Sequence, residues 1–270
     1  MKIKLLIFIL ISSSILIYSQ DEDLDQLPYD DTPKKALGKT SSYKGVAELG
    51  YKFNFSLINF DDINNLIASE NYGMNKFEWE LILSGAKMSF YIPFINNTKV
   101  GLFYLNGAAL TKEKDIIKDE INLKTYSELS LKMVGVSIDY GYVPMTNFAL
   151  TFGVNLGFIG NMNIDLNTYA AENNWVDIET GNNLNEKISL SKNFMQLQPS
   201  FGIEWAPTKF LMLRLNTYYN YTFTDILSES GWKVNGLGNI NDVPLGINPD
   251  AMNISLGIYI GVFNFESLRK

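Results

Sequence analysis

The sequence contains no cysteine and no histidine. Without cysteine there is no disulfide, thiolate metal site, cysteine nucleophile or lipid-modified N-terminal cysteine. Without histidine, a His-dependent catalytic triad, a zinc-histidine site and an imidazole general base are all excluded. Arginine is scarce, with only Arg214 and Arg269 in 270 residues. Net charge is −7, and discounting a leader that carries Lys2 and Lys4 leaves 20 bases against 29 acids, or −9. An acidic chain so poor in arginine is not a nucleic-acid binder. Long apolar runs are missing as well: mean hydropathy is near zero, and only one short segment resembles the ~20 consecutive apolar residues of a helical span. No carboxylate cluster has calcium-loop spacing. No metal, cofactor or catalytic residue is expected.

What is present begins with a basic start, Lys2 and Lys4, followed by an apolar run from Leu5 to Ile17 broken only by Ser12, Ser13 and Ser14. This reads as a secretory signal over residues 1–20, too short to span a bilayer as a mature helix, with cleavage expected near Ser19–Gln20. A buried N-terminal helix is the competing reading. Residues 21–42 carry Asp21, Glu22, Asp23, Asp25, Asp30 and Asp31 with Pro28 and Pro33. Such a segment cannot bury enough apolar surface to order itself, and reads as an acidic, disordered spacer.

From Tyr43 to Lys270 the patterning has period two, the mark of strands whose faces differ chemically. Phe148, Leu150, Phe152, Val154, Leu156 and Phe158 alternate with Ala149, Thr151, Gly153, Asn155, Gly157 and Ile159. That run is ~36 Å long, or ~25 Å high at a 45° tilt, the height of the apolar band of an outer-membrane barrel. The first strand sets Leu49, Tyr51, Phe53 and Phe55 against Glu48, Lys52, Asn54 and Ser56. The last sets Ile254, Leu256, Ile258, Ile260 and Val262 against Asn253, Ser255, Gly257 and Gly261. Eight strands are expected, near 43–57, 76–94, 99–110, 123–143, 147–166, 187–206, 209–226 and 251–265, although a ten-stranded closure stays open. Two apparent phase shifts, around Gly85 in the second strand and Gly135 in the fourth, point to β-bulges. The third strand is apolar on both faces and its orientation is unassigned.

Alternation alone also suits a soluble sandwich, and the connections discriminate better. Those at Ile95–Thr98, Pro144–Thr146 and Pro207–Thr208 are short, whereas 58–75, 111–122, 167–186 and 227–250 are long. Short turns at one end and long loops at the other belong to outer-membrane barrels. The expected fold is therefore all-β: an antiparallel up-and-down transmembrane β-barrel with short periplasmic turns and long extracellular loops. Apolar faces then meet outer-membrane lipid. Girdle aromatics are Tyr140, Tyr142, Phe148 and Trp205 at the turn end, and Trp79, Tyr219, Tyr221 and Phe223 toward the loops. Glu48, Lys52, Glu78, Glu80, Lys132, Asp139, Glu204 and Arg214 fall on the opposite face as a paired lumen network; with a tight turn over 206–210, Glu204 lies diagonally across from Arg214, within cross-strand reach. In the loops, Asp61 is a candidate cap for a short helix bearing Ile63, Leu66 and Ile67, with Gly73 beyond its end. Trp175 and Trp232 are candidate anchors for an extracellular partner.

On these features the chain, over about residues 43–265, resembles the small eight-stranded outer-membrane proteins of the OmpA-transmembrane-domain and OmpX type, including the "outer membrane protein β-barrel domain" members. The final strand, Gly257-Ile258-Tyr259-Ile260-Gly261-Val262-Phe263-Asn264-Phe265, contributes to the likeness. The resemblance implies that Tyr259, Phe263 and Phe265 form an insertion signal read by the barrel insertion machinery, though Glu266–Lys270 follow where a strictly terminal aromatic is usual. It implies a non-enzymatic barrel displaying surface loops for a structural, adhesion or partner-binding role. A narrow channel or transporter for small solutes is the alternative. An enzyme would have to rely on paired carboxylates such as Glu78 and Glu80, which more often simply line a wall.

Overall fold

The computed structural model describes residues 42–78, 80–118, 121–171, 185–223 and 231–266. The expected signal over 1–20, nearly all of the acidic spacer over 21–42, Trp79 and Trp175 lie outside the described residues. The strands are β1 (Ser42–Ile58), β2 (Leu81–Tyr91), β3 (Thr98–Leu110), β4 (Lys114–Lys118), β5 (Ile121–Met145), β6 (Phe148–Ala170), β7 (Glu186–Trp205), β8 (Leu211–Tyr219), β9 (Tyr221–Phe223), β10 (Trp232–Val234), β11 (Gly238–Ile240) and β12 (Ala251–Glu266). One helix, α1 (Asp61–Ile67), stands in the first long loop.

Eight of the strands close on themselves in the order β1-β2-β3-β5-β6-β7-β8-β12, every pair antiparallel, and β12 returns to β1 from Ser42↔Glu266 to Ile58↔Ala251. Closure leaves the wall without an unpaired edge, a condition hydrocarbon imposes on any spanning sheet. The turn ends are tight. Asn147 (φ 64) completes the β5–β6 turn, and Asn97 (φ 59) completes the β2–β3 connection. Both stand in the left-handed region that asparagine tolerates better than most side chains. In the β7–β8 connection the Thr208 hydroxyl accepts the N–H groups of Phe210 (3.2 Å) and Leu211 (3.0 Å).

The expected bulge at Gly85 is not there, and at Gly135 the register with β6 does shift but the extra residue is not in β5. β2 keeps an unbroken register with both neighbours. In β5 every odd-numbered residue from Leu123 to Val143 faces inward. The shift lies instead in β6, where Phe158 and Ile159 are both exposed and two residues oppose one on β5 and on β7. Gly157 and Gly160 flank it. A Cβ at Gly160 would strike the Phe194 ring. A second irregularity falls in β1 between Gly45 and Glu48.

What resembles a bulge in β2 and β5 is a change in the interior. Leu81, Leu83, Leu129, Leu131 and Met133 all point inward and are buried. The interior of the loop half is an apolar core, to which β3 adds Phe103 and Leu105, β6 adds Met162, Ile164 and Leu166, and β7 adds Phe194. Loop residues complete it: Ile63 and Ile67 of α1, then Met74, Phe77, Trp232 and Ile247. Phe77 is pinned there by its N–H, which donates to Asn64 Oδ1 (2.8 Å). This is why β2 starts only at Leu81. The α1 helix forms where expected, but Phe60 is its N-cap, no side chain caps it, and Asn59 Oδ1 accepts the Asp61 N–H (2.8 Å).

Candidate functional site

The interior is layered along the barrel axis. At the turn end Tyr43, Val143, Met212, Tyr259, Phe263 and Phe265 form a small apolar cluster, with Tyr91 packed against it. Tyr43 stacks on Phe265 at 4.9 Å between ring centres, and its own ring fills the space a Cβ would need at Gly141. The three residues expected as an insertion signal, Tyr259, Phe263 and Phe265, all belong to this inward cluster.

Above it sits an ionic layer. Lys99, fully buried, bridges Glu48 Oε2 (2.9 Å) and Glu204 Oε1 (2.8 Å). Lys87 binds Asp139 Oδ2 (2.7 Å). The Arg214 fork reaches Asp139 Oδ1 (3.0 Å), Glu204 Oε1 (3.2 Å) and Asn216 Oδ1 (2.9 Å), with Glu48 Oε1 at 3.9 Å. The Tyr43 hydroxyl donates to Glu204 Oε2 (2.6 Å), tying the ions to the aromatic cluster below. Charges taken out of water are tolerated only when paired and hydrogen-bonded in this way. Lys52 is different. No carboxylate lies within salt-bridge distance of it among the described residues, and its ammonium stands over the rings of Phe103 (5.1 Å) and Tyr218 (5.6 Å). Next come amides: Asn54 donates to Asn253 (3.0 Å), Asn155 to Gln198 (3.3 Å) and Gln198 to Gln196 (3.1 Å). The apolar core of the loop half closes the top.

Of the eight charges expected in the lumen, five converge there: Glu48, Lys52, Asp139, Glu204 and Arg214. Glu204 and Arg214 are directly opposed in the β7–β8 register and not diagonal as expected. Three do not belong. Glu78 and Glu80 are exposed ahead of β2, with Glu78 paired to Lys112 (2.8 Å) in water. Lys132 points outward from β5. Their expected placement assumes that apolar neighbours face lipid, whereas Leu81, Leu83, Leu131 and Met133 face the core. Lys87 and Lys99 join the layer without having been expected in it. Lys87 alternates with outward Met88 and Phe90, which is a usable signal, while the doubly apolar β3 hides Lys99. Trp232 is buried in the loop-side core and is not an exposed anchor.

The outer wall explains the reversal. Leu49, Tyr51, Phe53, Phe55 and Leu57 of β1 are exposed, as are alternate residues from Met252 to Val262 of β12 and Val136, Ile138, Tyr140 and Tyr142 of β5. On β5, β6 and β7 this greasy face ends at one cross-strand row, Lys132↔Asn161↔Asn193. Beyond that row the outward residues are polar or tyrosine: Ser130, Glu128, Tyr126 and Lys124 on β5, Asn163, Asn167 and Tyr169 on β6, Ser191 and Lys187 on β7. They bond to one another, as Asn161 to Asn193 (3.0 Å) and Ser189 to Asn163 (2.8 Å). In the loop above, the Tyr169 hydroxyl and then Lys124 hold the Glu113 carboxyl below its usual range.

Apolar outside with ions inside, up to one level, is the arrangement a bilayer demands of a small barrel. The fold is that of an eight-stranded, antiparallel, outer-membrane-type β-barrel, with short turns at one end and long loops at the other. No protein-family model matches the chain, and no curated protein matches it. Among solved structures it is similar to Ail, the attachment invasion locus protein of Yersinia pestis, at 12% identity over 80% of this chain and 98% of that one, with a TM-score of 0.41. It is also similar to a major outer membrane protein from Thermus thermophilus at 10% identity over 79% and 98%, with a TM-score of 0.40. Neisserial surface protein A matches at 12% identity over 80% and 95%, with a TM-score of 0.35.

Proposed function

We propose that the protein is a closed, non-enzymatic scaffold of the bacterial outer membrane whose rigid wall presents its long loops for adhesion or partner binding at the cell surface. The observation that carries this reading is the filled interior. An ionic layer is sealed below by the Tyr43–Phe265 cluster and above by amides and an apolar core. Eight strands enclose little more than their own side chains, and moving an ion past this stack means breaking several buried pairs. In the same reading residues 1–20 direct export, residues 21–42 form a solvated spacer, and the aromatic end of β12 engages the insertion machinery.

Planar-bilayer recording of the refolded protein tests the closed interior. The expected trace is a baseline without unitary steps. Reproducible steps at moderate voltage would overturn the reading in favour of a narrow channel for small solutes.

A further inference from the structure

The apolar filling of the loop half is not complete. Between α1, the upper parts of β6 and β7, and the chain leading from β10 to β12 lies a half-open cavity of about 560 Å³. Its wall is built by Leu66, Ile164, Leu190, Trp232 and Ile247, and Asp62 and Asp242 stand among its polar residues. Ile164 is fully buried and Trp232 nearly so, and the wall is continuous with the core that plugs the barrel.

Protein interiors pack to the density of organic crystals, and an unfilled apolar volume lowers stability. An apolar hole of ~150 Å³ already binds a benzene ring, and this one lies within the ~300–1,000 Å³ typical of small-molecule sites. Water is a poor occupant of a wall made of Leu, Ile and Trp. The charged residues add a direction. Asp62 lies against the 244–247 turn, where a Cβ at Gly246 would strike its Oδ2. Neither Asp62 nor Asp242 takes part in an ion pair among the described residues. An apolar chamber bordered by two unneutralised carboxylates complements a molecule with a greasy body and a positive end.

We propose that this cavity is a binding site for a small amphiphile with an apolar body and a cationic amine. The site goes beyond the display role, and its failure would leave the closed-barrel reading standing, because bilayer conductance does not depend on it.

The test uses the full-length mature protein in lipid nanodiscs, titrated calorimetrically with 4-phenylbutylamine, 4-phenylbutanol and 4-phenylbutyrate, with empty nanodiscs subtracted. The amine is expected to bind saturably at one site, and the carboxylate at least about tenfold more weakly. Leu66→Trp places an indole in the cavity and is expected to abolish saturable binding. Val243 also lines the cavity, and Val243→Phe is the second filling variant should the first not fold. Asp62→Asn combined with Asp242→Asn is expected to weaken the amine about tenfold and leave the alcohol unchanged. Binding no greater than to empty nanodiscs, undiminished binding in a folded filling variant, or equal affinity for all three probes would each overturn the proposal.

Discussion

Four cations, Lys52, Lys87, Lys99 and Arg214, share the lower interior with three carboxylates, Glu48, Asp139 and Glu204. By formal charge alone, removing a cation brings this layer to neutrality and relieves it. Geometry decides otherwise for Arg214, whose fork spans Asp139 and Glu204 and comes within 3.9 Å of Glu48. Arg214→Ala leaves carboxylate oxygens buried without that partner, and breaking such a pair costs about 3–5 kcal/mol. The melting temperature in detergent, followed by circular dichroism, is expected to fall by more than about 5 °C, with Arg214→Lys in between. Lys52 has aromatic faces in place of a carboxylate, so Lys52→Met is expected to change the melting temperature little or raise it. An unchanged Arg214→Ala barrel, or a Lys52→Met barrel equally damaged, would show that charge count outweighs geometry. The Glu204–Arg214 contact is legible in the sequence because a short connection fixes the β7–β8 register. The Lys99 bridge is not, since its partners come from β1 and β7, far apart in the chain and joined only when the ring closes.

Among the elements, β6 and β5 are expected to respond in opposite ways to the loss of one residue. β6 carries its extra residue relative to both neighbours at Phe158 and Ile159. Deleting Ile159 leaves Gly157 inward, Phe158 outward and Gly160 inward, so every pairing on either side survives. β5 has no slack: its inward set runs unbroken from Leu123 to Val143. Deleting Val136 there turns Met133, Leu131 and Leu129 to the outer face and brings Lys132 inside, since a one-residue slip exchanges the faces of everything beyond it. The Ile159 deletion is expected to refold in detergent with a modestly lower melting temperature. The Val136 deletion is expected not to fold; equal folding yields for the two would contradict the assignment of the bulge. The strands themselves are readable from period-two patterning, mostly to within a few residues. The bulge is not, because Phe158 and Ile159 are both apolar and either one continues the alternation of Phe148 to Leu156 without a visible break. Short β4, β10 and β11 inside the loops are likewise hidden, being stabilised by pairing (β4 with β5, β10 with β7, β11 with β10) and not by a pattern of their own.

For the whole molecule, the wall changes character partway up. From Val134 to Met145 the outward face of β5 covers ~36 Å of strand, or ~25 Å of height at a 45° tilt, which is the apolar band of a bilayer. Above Lys132 the same strand continues with Ser130, Glu128 and Lys124 outward and Leu131, Leu129 and Leu123 inward. Below the row the barrel has lipid outside and ions inside; above it, water outside and a conventional apolar core within. Period two is satisfied on both sides of the boundary, so alternation cannot say which face is which; only the solvent outside can. That is why the sequence pattern misplaces Lys132, and why its outward position is tolerable: its ammonium can reach the headgroup level from the rim. The absence of native cysteine allows this boundary to be mapped with single substitutions. Ser130→Cys and Glu128→Cys in intact cells are expected to react with a membrane-impermeant maleimide. Val136→Cys and Ile138→Cys are expected to resist it, and, once fluorescently labelled in liposomes, to be quenched by brominated acyl chains. Quenching at 128 and 130 equal to that at 136 and 138 would place those residues in hydrocarbon, and the polar row on β5, β6 and β7 would then not be the membrane's outer edge.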